Sequence, residues 1–229
     1  MKTLSSPVDL IKKSIKIFFK RENLTFFLKI YLPFFIFSLL QLWSVNNSYT
    51  AELEKGNFQY YADKPLVMAL FVVIFIIGFV LSMWFYASTL ESVLRVVNSG
   101  KLDFKDTYKK AWSYAFKLFF AGMLVGLTVI LGLILLIVPG IIFSVWFNFT
   151  RFGVADKGLE AVASMKESKA LVSGRFWPVL GRIAVFGIFS ILVQIVFSII
   201  PYGIGQTVSS LFGALFILPF YFLYKELRG

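Results

Sequence analysis

The chain has 229 residues, of which 59% are hydrophobic and 15% charged, with a net charge of +11 and a mean hydropathy of +0.81. A soluble domain carries about 25% charged residues, so this composition excludes a water-facing exterior and predicts one integral membrane domain. The chain has neither cysteine nor histidine, which removes disulfides, thiolate chemistry and the commonest general base and metal ligand; neither an enzyme nor a cofactor is expected.

Six apolar runs approach the roughly 20 helical residues that a bilayer core requires. They come in pairs, each pair behind a lysine-rich stretch. Residues 7–20 open the series. Ser6 is a candidate cap, Pro7 suits the first helical position and Asp9 suits the positive end of the helix dipole. Val8, Ile11, Ile15, Phe18 and Phe19 fall on one face, with Lys12, Lys13, Lys16 and Lys20 opposite. That is the pattern of an amphipathic helix lying in the headgroups. The first run, 26–45, ends without a small-x-small site and reads as a span rather than a cleavable signal. A connection over 46–64 leads to the second run, 66–90.

Residues 104–117 form the second amphipathic segment. Phe104, Tyr108, Ala111, Trp112 and Ala115 share one face, Lys105, Lys109 and Lys110 lie away from it, and Asp103 is a candidate cap. Runs 118–138 and 141–154 follow, joined by Val138-Pro139-Gly140, where proline ends one helix and glycine supplies the turn. The fourth run is short: about 14 residues rise only about 21 Å. It carries Asn148 and ends at Arg151. Either Arg151 snorkels and the helix continues past Gly153, or the bilayer thins locally. A third amphipathic segment, 158–174, aligns Ala161, Met165, Ser168 and Val172. It precedes runs 176–200 and 206–224, joined by Ile200-Pro201-Tyr202-Gly203.

Of the 23 Lys and Arg residues, only Lys55 and Lys64 fall on the far side of this threading. Positively charged loops stay in the cytoplasm. The expected topology is six spans in a cell membrane, the cytoplasmic membrane of a prokaryote, with both termini cytoplasmic. The basic excess then serves topology and attraction to anionic lipid, worth about 1 kcal/mol per Lys or Arg near the surface; no nucleic acid is expected as a partner. The residues placed against lipid are Lys12, Lys13 and Lys16, then Lys109, Lys110 and Lys117, then Lys166, Lys169, Arg175 and Arg182.

The three basic segments resemble one another. Ile11-Lys12-Lys13-Ser14-Ile15-Lys16-Ile17 aligns with Tyr108-Lys109-Lys110-Ala111-Trp112-Ser113-Tyr114 and with Met165-Lys166-Glu167-Ser168-Lys169-Ala170-Leu171. A small residue between larger ones permits close approach of another helix. We read an internal triplication with units 5–97, 98–154 and 155–226, each a surface helix plus two spans; the other reading is chance similarity in a lysine-rich apolar chain. Glu91 and Arg95 form an i,i+4 pair at the end of the second run, read as an interfacial ion pair rather than an ion-coupling carboxylate. Asn148, Gln194, Gln41 and Gln206 are polar groups in or at the ends of spans, each read as one inter-helix hydrogen bond rather than a cavity lining. Gly122 and Gly126 form a G-x-x-x-G suited to close helix packing, within the chain or in a homo-oligomer.

The run Leu136-Ile137-Val138-Pro139-Gly140-Ile141-Ile142, followed by Ser164-Met165-Lys166-Glu167-Ser168-Lys169-Ala170-Leu171-Val172-Ser173-Gly174-Arg175-Phe176-Trp177, resembles a known family. It is similar to the membrane domain found beside some bacterial glycerophosphodiester phosphodiesterases and to the small inner-membrane proteins of the YciC type. Those show an apolar run, Pro-Gly, a short span, then Ala-Leu-Lys-Arg-Ser-Trp-x-Leu-x-x-Gly-Arg-Phe. Here Ser164 stands for the alanine, Lys169 for the tryptophan, and Glu167 replaces a basic residue. The resemblance implies a six-span layout and no activity: in that family the phosphodiesterase chemistry belongs to a separate barrel that uses histidines, which this chain lacks. The expected function is a non-enzymatic, lipid-associated membrane protein, or a scaffold for a membrane partner. The alternative is a small-solute or lipid transporter with a polar site between the units.

Overall fold

The computed structural model of the chain describes residues 4–45, 65–200 and 204–229; these are helical, with no strand among them. The connection over 46–64 and the Pro201-Tyr202-Gly203 turn lie outside the described residues, as do the side chains of Gln41 and Gln206. In chain order the helices are α1 (Pro7–Phe18), α2 (Arg21–Val45), α3 (Pro65–Val97), α4 (Phe104–Leu135) and α5 (Ile137–Trp146). They continue as α6 (Thr150–Lys157), α7 (Ala161–Val172), α8 (Phe176–Ser198), α9 (Ile204–Ser210) and α10 (Gly213–Arg228). Six stretches are long and apolar enough to cross a membrane: Arg21–Leu39, Met68–Val97, Phe104–Leu135, Ile137–Lys157, Phe176–Ser198 and Thr207–Arg228.

Residues 104–117 are not a separate surface helix. They are the first half of α4, which runs unbroken for 32 residues, about 48 Å at 1.5 Å per residue, against a core of about 30 Å. The reason is a buried stripe that crosses the expected boundary: Thr107, Ala111, Ala115, Leu118 and Ala121 all face inward. No glycine or proline interrupts it before Gly122, so nothing stops the helix there.

The turn after α4 also differs from expectation. Leu136 alone, in extended conformation at φ −162° and ψ 144°, separates α4 from α5. Pro139 sits inside the first turn of α5, where its missing N–H would have had no helical partner. Gly140 serves the packing: a Cβ there would lie 2.4 Å from the Leu133 side chain and 2.9 Å from its backbone nitrogen. The fourth span follows the first sequence alternative and continues past Gly153 to Lys157 as α6, but it is broken at Phe147, Asn148 and Phe149.

The three lysine-bearing helical segments share one register. Counted from the first residue of α1, α4 and α7, the same position is Ser14, Ala111 and Ser168, all fully buried. One turn before it stand Leu10, Thr107 and Ser164; one turn after it stand Phe18, Ala115 and Val172; all are buried. The apolar faces read from the sequence are therefore split. In α1 the Leu10–Ser14–Phe18 stripe packs on protein while Val8, Ile15 and Phe19 point outward. In α4 Trp112 and Phe116 point outward in the same way.

The start of α4 packs on α3 and α7 on α6, each on the span before it, while α1 packs on α10, the last helix of the chain. The contact of α1 with α10 closes the ring between the two ends of the chain. Ser5 N–H and Oγ donate to the Glu226 carboxylate at 3.0 and 2.5 Å, and Phe18 stacks between Phe27 and Phe212. Gly153 lets α7 approach α6, since a Cβ there would lie 3.2 Å from Ser164 Cβ.

Candidate functional site

The ends of α3, α6 and α10 meet. Asn98 Nδ2 donates to Tyr221 Oη (2.8 Å), which donates to Asp156 Oδ1 (3.3 Å). Arg228 closes on Asp156 Oδ2 at 2.7 Å, and Lys225 Nζ donates to Asn98 Oδ1 at 2.8 Å. Lys157 pairs with Glu167 at 2.5 Å, joining α6 to α7, and Lys117 pairs with Glu160 at 2.6 Å, joining α4 to α7. These bonds gather the basic segments at one end of the bundle. Residues 30–45, 65–90, 118–150 and 183–224 carry no charge at all, so every described charge falls near this end or within a few turns of it.

At this end the lysines divide by use. Lys12, Lys16, Lys109 and Lys166 are exposed and form no ion pair with a described residue. Lys13 lies over the Phe222 ring at 4.3 Å, and Lys169 over Trp146 at 4.5 Å. Arg175 stands at the start of α8 without a side-chain capping bond. Arg182 is committed to structure rather than to lipid. Its Nε and two terminal nitrogens donate to the carbonyls of Ser5, Leu4 and Pro178 at 2.8–2.9 Å, fixing the segment before α1.

Glu91 is buried, with 1% of its side chain exposed, and is not at an exposed interface. Arg95 Nε reaches Oε1 at 3.0 Å and Lys110 Nζ reaches the same oxygen at 3.1 Å. Tyr114 Oη lies 3.3 Å from Oε2 and 3.1 Å from the Ala87 carbonyl. The i,i+4 pair with Arg95 is present as expected. The second cation and the tyrosine come from α4, which nothing in the local sequence around Glu91 could disclose. With two cations and a phenol on one carboxylate, the cluster is saturated and serves packing of α3 on α4.

The break in the fourth span has a side chain built into it. Ser168 Oγ donates to the Trp146 carbonyl at 2.6 Å and accepts from the Phe149 N–H at 3.1 Å. One hydroxyl thus satisfies two backbone groups at the interruption, which unpaired in hydrocarbon would cost several kcal/mol each. Beside the break lies a groove of about 260 Å³ between α3, α4 and the α5–α6 span. Gly122, Val125 and Val129 line its apolar side; Tyr86, Asn148 and Arg151 line the other. A second, more apolar hollow of about 360 Å³ shares Tyr86, Leu118 and Gly122 with it and extends to Phe79 and Met123. Within the chain Gly122 and Gly126 mediate no close helix packing: a Cβ at either would meet no described atom within 4 Å. The close approach on α4 is made further on, by Gly132 against Gly140.

Arg151 lies between the Phe152 and Phe220 rings, with its guanidinium carbon 4.9 and 5.0 Å from their centroids. Its Nη1 lies 3.4 Å from Tyr86 Oη. Its Nε, Asn148 Oδ1 and Thr150 Oγ1 are buried without a hydrogen-bond partner. Asn148 therefore lines a cavity rather than bridging two helices. Gln194 lines neither groove and is exposed on α8. Among the described residues no group of three acidic side chains is placed to hold a metal. No protein-family model, no curated protein and no solved structure matches the chain.

Proposed function

We propose that this is a non-enzymatic, lipid-associated protein of the prokaryotic cytoplasmic membrane, built from three related units over 5–97, 98–154 and 155–226, with both termini in the cytoplasm. One observation carries the reading. The buried stripes of α1, α4 and α7, each with a small residue at its centre, are consumed by packing, while Lys12, Lys16, Lys109 and Lys166 form no ion pair with a described residue at one end of the bundle, beside outward aromatic and aliphatic side chains such as Phe19, Ile15 and Trp112. Lysines over large apolar groups at a helix surface are the composition of a headgroup-level contact, and the sign of the charge selects anionic lipid.

The test uses the full chain, and the natural absence of cysteine makes single-cysteine labelling clean. Lys12→Cys is expected to react with a membrane-impermeant maleimide only after the cytoplasmic face is opened, and Gly56→Cys in sealed cells. In mixed micelles, phosphatidylglycerol is expected to raise the thermal midpoint more than phosphatidylcholine does. The gain should fall in a variant with Lys12, Lys16, Lys109 and Lys166 changed to Gln. Equal stabilisation by the two lipids, or no change in the quadruple variant, overturns the lipid reading; labelling of Lys12→Cys in sealed cells overturns the orientation.

A further inference from the structure

We propose that the groove beside the broken fourth span holds one anionic phospholipid, its phosphate on Arg151 and an acyl chain along the Gly122 side of α4. This deepens the lipid-associated reading and rests on it, but it uses none of the surface lysines that carry that reading.

Four features of the groove point to this occupant. The first is charge. Arg151 is the cation without a described carboxylate partner that lies furthest along the fourth span from its basic end: it is five residues before Asp156, about 8 Å along the helix. The Phe152 and Phe220 rings support the guanidinium but do not neutralise it. An intramembrane cation pairs or marks a ligand path, and a planar guanidinium suits phosphate oxygens in a two-bond fork. The second is polarity left open. Asn148 Oδ1 and Thr150 Oγ1 sit buried and unpartnered on the wall that holds Arg151. Thr150 Oγ1 can donate to an ester carbonyl, and Asn148 Oδ1 can accept from a headgroup hydroxyl such as those of phosphatidylglycerol.

The third feature is space. The polar pole opens onto the apolar hollow that it shares with Tyr86, Leu118 and Gly122. At Gly122 the missing side chain leaves a trough where a Cβ would touch no described atom, and its continuity with the apolar hollow suits an acyl chain. The fourth is the backbone. Irregular chain at membrane depth is tolerated where it is buried in protein or lines a cavity, and interrupted spans recur at ligand sites. The interruption at Phe147–Phe149 is held open by Ser168 and presents Asn148 and Arg151 to the groove on either side of Thr150.

The phosphate could be offered by a lipid or by a free ion, so the experiment separates them. Delipidated full-length protein in detergent is titrated with phosphatidylglycerol, phosphatidylcholine and inorganic phosphate, and bound species are counted by native mass spectrometry. One phosphatidylglycerol is expected to stay bound at energies that strip the rest. Arg151→Gln should weaken it by about tenfold or more, the effect of losing charge-assisted hydrogen bonds. Gly122→Phe, whose Cβ would enter open space, should weaken it by filling the trough. If Arg151→Gln does not fold, Arg151→Lys decides: retained charge without the fork should give intermediate binding, and unchanged binding overturns the Arg151 contact. The variant lacking the four surface lysines should keep the single bound lipid, so a failure of the surface reading and of this one are told apart. Equal retention of phosphatidylcholine, unchanged binding in both Arg151→Gln and Gly122→Phe, or displacement of the lipid by inorganic phosphate overturns the proposal.

Discussion

Ser14 in α1 and Ser168 in α7 stand at the same distance from the start of their helices, are equally buried, and face a span in the same way. Their hydroxyls do different things. Ser14 Oγ donates to Leu10 O of its own helix at 2.7 Å, a bond that adds nothing across the interface. Ser168 Oγ crosses to another element and completes the backbone of a broken span. The residue before each shows the same divergence. Lys13 lies on an aromatic ring, Glu167 pairs with Lys157, and in α4 Lys110 pairs with buried Glu91. The common requirement of the register is thus size: a small side chain that brings the backbone close to its neighbour. The chemistry around it is local and follows from what the facing span supplies.

The sharpest way to separate register from chemistry is at the residues that face Lys13 and Lys110. Glu91→Gln leaves Arg95, whose side chain is 16% exposed, without a counter-charge. Breaking a buried pair from one side costs about 3–5 kcal/mol, the largest effect expected here. Lys110→Met removes a partner that is 55% exposed and should cost under about 1 kcal/mol. Lys13→Met, which loses a cation over a ring, should cost a similar amount. Unfolding in detergent ranks the three. A Glu91→Gln loss no larger than that of Lys110→Met would show that the α3–α4 contact rests on packing alone.

Next in size is the comparison of the two serines. Ser168→Ala frees a carbonyl and an amide inside the membrane and should cost about 2 kcal/mol, the penalty for a buried group left unpaired. Ser14→Ala keeps the volume and loses a bond internal to one helix, so it should stay within about 0.5 kcal/mol of the parent. Equal losses would mean that the hydroxyl at Ser168 is as incidental as that at Ser14.

These differences mark where the sequence was legible. The apolar–Lys–charged–small pattern placed Ser14, Ala111 and Ser168 in one class, and the six runs matched the six spanning stretches. Which face of each amphipathic segment meets protein was not legible, because lipid and protein interior are equally apolar and hydrophobic periodicity cannot tell them apart. Val8 and Leu10 look alike to such a count, yet one is half exposed and the other buried. The start of α4 read as a separate surface helix because its lysines stop at Lys117, whereas the buried stripe that holds it continues to Ala121. The groove was missed for a further reason: its components were read singly. Asn148, Arg151 and Gly122 come from two helices and a break whose stability depends on a serine from a third.

The smallest effect concerns how the three segments begin. Ser6 and Glu160 occupy the capping positions of α1 and α7 without a side-chain capping bond, whereas Asp103 accepts the Asp106 N–H at 3.0 Å. That hydrogen bond, first, and the Lys105 N–H and the Lys101 and Arg95 charges after it hold the Asp103 carboxyl below its ordinary value. A carboxyl whose folded-state value is depressed contributes stability that is present above the unfolded value and disappears as pH falls through the folded one. Asp103→Asn keeps an acceptor for the cap but cannot titrate. The stability difference between parent and Asp103→Asn should therefore shrink as the pH is lowered from about 7 to about 3, while Asp103→Ala should lie below Asp103→Asn throughout. The site is exposed, so the separation will be small and is read as a difference of curves. Parallel curves for the parent and Asp103→Asn over that interval would place the capping advantage of α4 in the shape of the acceptor rather than its charge, and would leave α1, α4 and α7 alike in having no charge-dependent start.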